Sequence, residues 1–173
     1  MADFRNDLLE TLKLLNKFGI KYVICGGVAC VFQGVERATF DVDISISYEK
    51  ENIEKIINLA KQLNLSPRMN EPISSLLDEK KRQDWFENKG ALVYTLNFND
   101  SPMQLDIFLK YPLSYSEILS RADIVEIDGF KFLISSKEDL LLVKKMITPL
   151  RAKDKMDIEE LEKLLKNESK PGK

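Results

Sequence analysis

The sequence predicts an α+β domain built on a mixed β-sheet, and three observations carry that expectation. An amphipathic helical period opens the chain and then alternates with short β-rich runs. Two further pairs of β-rich runs are joined by turn sequences, Asn99-Asp100-Ser101 and Asp128-Gly129, which read as hairpins. Helical periods then return after residue 135. Helix–strand–helix–strand–helix, then hairpins, then helices is the order of an α+β chain. At 173 residues, with 44% hydrophobic and 31% charged, the chain fits one domain with its own core, or a core with a helical appendage.

Each element has its own signal. Phe4, Leu8, Leu12, Leu15 and Phe18 recur at helical spacing, and Gly19 is placed to end that helix. Residues 21–26 (KYVICG) are rich in β-formers and read as the first strand. Residues 28–32 allow a turn or two of helix closed by Gly34, and residues 40–47 form the second strand. Ser47 is placed to cap the next helix, where Ile53, Ile56, Ile57, Ala60 and Leu63 form an apolar stripe. In residues 66–88, Pro67 and Pro72 break regularity and a short polar helix or loop is expected. Residues 90–98 and 102–109 read as paired strands, as do 124–127 and 130–134. Ser135 and Ser136 precede Glu138 and Asp139 in a capping-box pattern that opens a helix, which Thr148-Pro149 interrupts. A last helix is expected near 154–165. The expected organisation is a core at 1–135, C-terminal helices at 136–166 packed on it, and a flexible tail at 167–173.

Composition narrows the chemistry. The chain has no histidine, which excludes Ser-His-Asp and Cys-His catalysis and histidine-ligated zinc or iron. Its two cysteines, Cys25 and Cys30, are too few for a disulfide framework or a thiolate zinc site, so buried packing is expected for both. A net charge of −2 gives no general attraction to a long polyanion. No apolar run approaches the roughly 18 residues of a membrane span. The opening MADFRNDLLETLKLL is amphipathic and acidic, unlike a signal peptide, so a cytoplasmic location is expected.

The stretch with chemical content is ICGGVACVFQGVERATFDVDISI, residues 24–46. Asp41 and Asp43 project from one face of their strand, with Val42 and Ile44 on the other. Neighbouring carboxylates repel and resist desolvation, so they call for a compensating cation. An isolated D-x-D is common by chance, but here a glycine pair, Gly26-Gly27, stands upstream at a strand-to-helix junction, where backbone N–H groups suit a phosphate. Asp106, set among Leu105, Ile107 and Phe108, is costly there unless ionically satisfied. If its strand lies beside that of Asp41 and Asp43, three carboxylates converge. Such a set suits two Mg²⁺ ions about 4 Å apart that align a triphosphate and an attacking hydroxyl.

Glycine pair, Asp41-x-Asp43 and a later strand aspartate together resemble the DNA polymerase β-like nucleotidyltransferase superfamily. GVERATFDVD, with Gly34, Arg37, Thr39, Asp41 and Asp43, resembles more specifically its small branches, which include minimal, antibiotic and abortive-infection toxin-type nucleotidyltransferases. The resemblance covers residues 20–110 well and the C-terminal third more loosely. It implies that Gly26 and Gly27 cradle the β- and γ-phosphates of an NTP. Many members have Gly-Ser there, so Gly27 departs toward a purely backbone contact. It implies that Asp41 and Asp43 hold two Mg²⁺ ions, with Mn²⁺ an alternative. Asp106 would hold the catalytic one and take the acceptor hydroxyl's proton.

Arg37 and Thr39 have two readings of equal weight: solvated or strand-start residues, or groups placed near phosphates or braced against a site carboxylate. Lys144, Arg151, Lys153, Asp154 and Asp157 resemble a helical motif of the toxin-type branches in which a basic residue faces the triphosphate. Against that, exposed basic residues are usually solvated, and Arg151–Asp154 has the spacing of a surface pair. Trp85 and Phe86 read as a core plug rather than a stacking platform. The expected function is metal-dependent transfer of an NMP from an NTP to an acceptor hydroxyl, with pyrophosphate released. The rivals are a catalytically quiet nucleotide-binding module, such as a toxin–antitoxin component, and a plain structural domain. Sequence leaves open the NTP, the acceptor (small molecule, tRNA or protein) and the oligomeric state.

Overall fold

The structure, a computed structural model, describes residues 4–169, with side chains from residue 8. The expected apolar contact of Phe4 and the tail at 170–173 lie outside the described side chains and residues. In chain order the elements are α1 (Phe4–Lys17), β1 (Tyr22–Cys25), α2 (Gly26–Phe32), β2 (Asp41–Ile46), α3 (Lys50–Gln62) and β3 (Ser66–Pro67). A 3₁₀ turn (Ile73–Leu77), α4 (Glu79–Glu87), β4 (Val93–Asn97) and β5 (Gln104–Phe108) follow. The chain continues through α5 (Tyr115–Arg121), β6 (Asp123–Ile127), β7 (Phe130–Ile134), α6 (Lys137–Lys145) and α7 (Ala152–Glu168).

A single seven-stranded sheet has the order β3-β4-β5-β2-β1-β7-β6. It is mixed, as expected: β2 runs parallel to β5 and β1 parallel to β7, and the other neighbours are antiparallel. Strand alternation separates its two faces. Val42, Ile44, Leu105, Ile107, Leu96 and Ile24 point into the main core, where α1 and α3 deliver Leu12, Leu15, Ile53 and Ile56. Each such side chain contributes about 1.5–3 kcal/mol by leaving water. On the opposite face, Val23 and Cys25 join Ile118 of α5 in a smaller cluster. That cover does not include Asp41, Asp43 and Asp106, which are only half-buried.

Several local expectations are corrected. Ser47 does not cap α3: the cap position is Glu49, whose side chain makes no capping hydrogen bond, and Ser47 instead accepts the Glu49 amide at 3.4 Å. The serine comes two residues too early, in an extended connection. α5 had no expected counterpart, although Ser114 and Glu117 form a complete capping box at its start. At α6 only half the expected box forms. Ser136 accepts the Asp139 amide at 3.2 Å, while the Asp139 carboxylate takes the Arg121 Nε at 3.0 and 3.1 Å. α7 continues through Glu168, past the expected start of the tail. The Asp128-Gly129 turn forms as expected, with φ +52° and +78° at its two residues.

Trp85 is a core plug, 1% exposed and stacked on Tyr94 at 5.5 Å between ring centroids. Cys25 and Cys30 are both buried and unpaired. Burial pushes the Cys25 thiol to about 12 and the Cys30 thiol to about 11, which removes either as a thiolate nucleophile at neutral pH. Among the described residues, no helix is long and apolar enough to cross a membrane.

Candidate active site

The parallel pairing of β2 with β5 sets Asp43 directly opposite Asp106, and Asp41 lies on the same face two residues earlier. The condition placed on Asp106 by the sequence is met. β1 pairs with β2 on its other side, with Cys25 opposite Asp43, so the chain turns into α2 immediately beside the carboxylates. Gly26 occupies that turn at φ +60°. A Cβ there would overlap the Asp43 carboxylate, lying 2.6 Å from its Cγ. Both the backbone conformation and the close approach require glycine.

Gly27 donates its amide to Asp43 Oδ2 at 3.4 Å. A Cβ on Gly27 would stand 2.8 Å from Thr39 Oγ1 and 2.9 Å from an Arg37 guanidinium nitrogen. Thr39 and Arg37 thus flank the start of α2, and a side chain at position 27 would require them to shift.

Three carboxylates sharing one sheet face make an electrostatically costly spot. Burial first, then the neighbouring Asp106 charge, pushes Asp43 up to about 7, while the Gly27 amide pulls the other way. Asp106 is also raised, chiefly by burial, against the hydrogen bond it accepts from Thr95 Oγ1 at 2.5 Å. Among the described residues, no group of three or more Asp, Glu, Cys or His side chains is gathered closely enough to hold a metal ion as it stands. Asp43 is turned onto an amide and Asp106 onto a hydroxyl. The donor set nevertheless fits a hard divalent cation: it is all carboxylate oxygen, on adjacent strands, and its like charges oppose one another's ionisation.

The basic residues lie beside this spot, in a buried ionic network. Lys144, 6% exposed, reaches Asp157 Oδ2 at 2.7 Å and Asp154 Oδ1 at 3.3 Å. Arg37 donates Nη1 to Asp157 Oδ2 at 2.5 Å, and Arg151 grips Asp154 through Nε at 2.5 Å and Nη2 at 3.1 Å. Asp154 and Asp157 are 0% and 2% exposed, so α7 is fixed to α6 and to the Arg37 segment by charges hidden from solvent. Arg37 is paired with Asp157 of α7. Lys144 is a clamped group inside the network, and Arg151, partly exposed, holds the first turn of α7.

Thr95 and Arg68 carry no signal in the sequence reading, yet both belong to this face. Thr95 stands opposite Asp106 in the β4–β5 pairing, and Arg68 donates its amide to the Thr95 carbonyl at 2.9 Å. Only the strand register reveals them.

No family model and no curated protein matches the sequence. Solved structures do match the fold. A lincosamide antibiotic adenylyltransferase, LnuA, in its lincomycin-bound form superposes with a TM-score of 0.63 at 15% identity, covering 92% of this chain and 96% of that one. The antibiotic-resistance factor ANT(2″)-Ia in solution gives 0.60 at 12% identity, covering 98% and 86%. An antigenic nucleotidyltransferase-like protein from Paracoccidioides brasiliensis gives 0.58 at 18%, covering 99% and 78%. The mixed sheet, the carboxylate-bearing strand pair and these superpositions agree: the chain has the polymerase β-like nucleotidyltransferase fold.

Proposed function

We propose that the protein is a nucleotidyltransferase that moves an NMP group from an NTP to an acceptor hydroxyl. The observation that carries this reading is the pairing of Asp43 with Asp106 on adjacent parallel strands, with Gly26 and Gly27 turning into α2 against the Asp43 carboxylate. Asp41, Asp43 and Asp106 would hold Mg²⁺, or Mn²⁺ in its place, and the bound ions would supply charge neutralisation to the triphosphate. The chain's own groups do the rest. Backbone N–H groups at the start of α2 bind phosphate oxygens. Arg37, fixed by Asp157, holds its guanidinium beside Gly27, where it meets the same anion. Asp106, its acidity weakened by burial, takes the acceptor proton. The acceptor oxygen bonds to the α-phosphorus, the bond to the bridging oxygen of pyrophosphate breaks, and pyrophosphate leaves. Lys144 and Arg151 act through the network, by fixing α7 against the Arg37 segment.

The neighbours support transfer to a small acceptor: LnuA is described as an antibiotic adenylyltransferase bound to lincomycin, and ANT(2″)-Ia with adenylyl-2″-tobramycin. Asp43→Asn tests the reading, because it removes charge at constant volume. Calorimetric titration with Mg²⁺–ATP, beside a pyrophosphate-release assay, should show loss of metal-dependent binding and turnover with an unchanged circular dichroism spectrum. Full activity in that variant would sink the assignment. Binding in the wild type without pyrophosphate release over any acceptor would favour a quiet nucleotide-binding module.

A further inference from the structure

The third carboxylate is held from the strand beyond it. β4 pairs antiparallel with β5 and sets Thr95 directly opposite Asp106. Thr95 Oγ1 donates to Asp106 Oδ1 at 2.5 Å. That is the short separation of a hydroxyl bonded to an ionised carboxylate, roughly twice as strong as a neutral hydrogen bond.

The donor itself is firmly placed. Thr95 is 5% exposed, and its branched Cβ restricts rotation about χ1. Its flanking residues, Tyr94 and Leu96, are buried in the main core on the other face of the sheet. Tyr94 stacks on Trp85 and donates its hydroxyl to the Glu71 carbonyl at 2.7 Å, while the Arg68 amide occupies the Thr95 carbonyl at 2.9 Å. β4 is also paired on both sides, with β3 and with β5.

Asp43 is held differently. Its amide donor, Gly27, stands 3.4 Å from Oδ2, beyond the usual range of about 2.7–3.2 Å for N–H···O bonds. Among the described residues, Asp106 has a hydrogen-bond partner on Oδ1 and none on Oδ2. One carboxylate is therefore fixed with an oxygen to spare, and the other is loosely held and free to turn. Groups that hold a metal ligand in this way set its orientation, and their loss costs about 10–100-fold in metal affinity.

We propose that Thr95 is a positioning residue of the metal centre: its hydroxyl fixes the Asp106 carboxylate so that Oδ2 meets the cation, and Asp43 turns to complete the set. This rests on the nucleotidyl-transfer reading of the carboxylates.

The test is Mn²⁺ binding to the full chain, followed by electron paramagnetic resonance of the free ion, with and without a non-hydrolysable ATP analogue. Thr95→Val removes the hydroxyl at nearly constant volume and should weaken Mn²⁺ binding by about 10–100-fold. Thr95→Ser keeps the hydroxyl and should restore most of the affinity. In an Asp106→Asn background the valine should cause no further loss, because the group it positions is already gone. If the valine form does not fold, Thr95→Ala is read in the same way. Thr95→Val binding Mn²⁺ like the wild type overturns the proposal. So does a serine form as weak as the valine form, or a valine effect of equal size in the Asp106→Asn background. A wild type that holds no Mn²⁺, with or without the analogue, overturns the nucleotidyl-transfer reading itself.

Discussion

Gly26 lies directly against the carboxylate of Asp43, so closely that a Cβ at position 26 would overlap Oδ2 and stand 2.6 Å from Cγ. The turn that starts α2 and the strand that carries the acidic pair are therefore one interlocked unit. Gly26→Ala adds left-handed backbone strain to this overlap and should destabilise by about 2–4 kcal/mol. Urea unfolding measures it. Asp43→Ala in the same chain should return part of the loss, giving a non-additive double-mutant cycle, because the two residues occupy one space.

The raised acidity constant of Asp43 gives stability a pH dependence of defined sign. Folded, this carboxyl holds its proton to about pH 7; unfolded, it loses it near about 3.9. The folded state thus binds the extra proton between those values, and stability falls as pH rises through the window. In EDTA, the urea midpoint should be higher at pH 5 than at pH 8. Asp43→Asn should flatten that slope and be the more stable form at pH 8. A wild-type midpoint that rises from pH 5 to pH 8 with Asp43 as its cause would contradict the assigned environment.

Lys144 stands between two buried aspartates, 2.7 Å from one and 3.3 Å from the other. Lys144→Met removes the cation that Asp154 and Asp157 share and leaves each with one arginine, and it should destabilise the fold. Adding Asp154→Asn and Asp157→Asn should recover only part of that loss in thermal unfolding, since the largely buried Arg37 then loses its own partner. Nucleotide binding should not recover with stability, because Arg37 has lost its brace.

Much of this arrangement was legible in the sequence, for reasons that differ by residue. Asp41, Asp43 and the glycine pair lie within one short span, so strand alternation and turn chemistry suffice to place them together. Asp106 was legible as an acidic residue in an apolar run. Its partnership with Asp43 depended on a strand adjacency that local pattern does not encode. Thr95 was hidden by register: the Asn99-Asp100-Ser101 turn suggested a tight loop, but the strands end at Asn97 and Gln104, and a one-residue slip would have turned Thr95 to the other face. Lys144 stood out in the sequence because it interrupts the apolar run LLLVKKMI, which pointed it toward the triphosphate, while its pairing with Asp154 and Asp157 gave no signal. Their burial follows from the packing of α7 on α6 and on the Arg37 segment, a tertiary relation between residues 120 positions apart in the case of Arg37 and Asp157.

The most direct test of the central claim is a crystal structure of the protein soaked with Mg²⁺ and a non-hydrolysable NTP. Mg²⁺ is expected on oxygens of Asp41, Asp43 and Asp106 at about 2.0–2.1 Å, with the triphosphate on the N–H groups of Gly26 and Gly27. A nucleotide bound elsewhere, or bound at α2 with its metal ignoring Asp43 and Asp106, would contradict it.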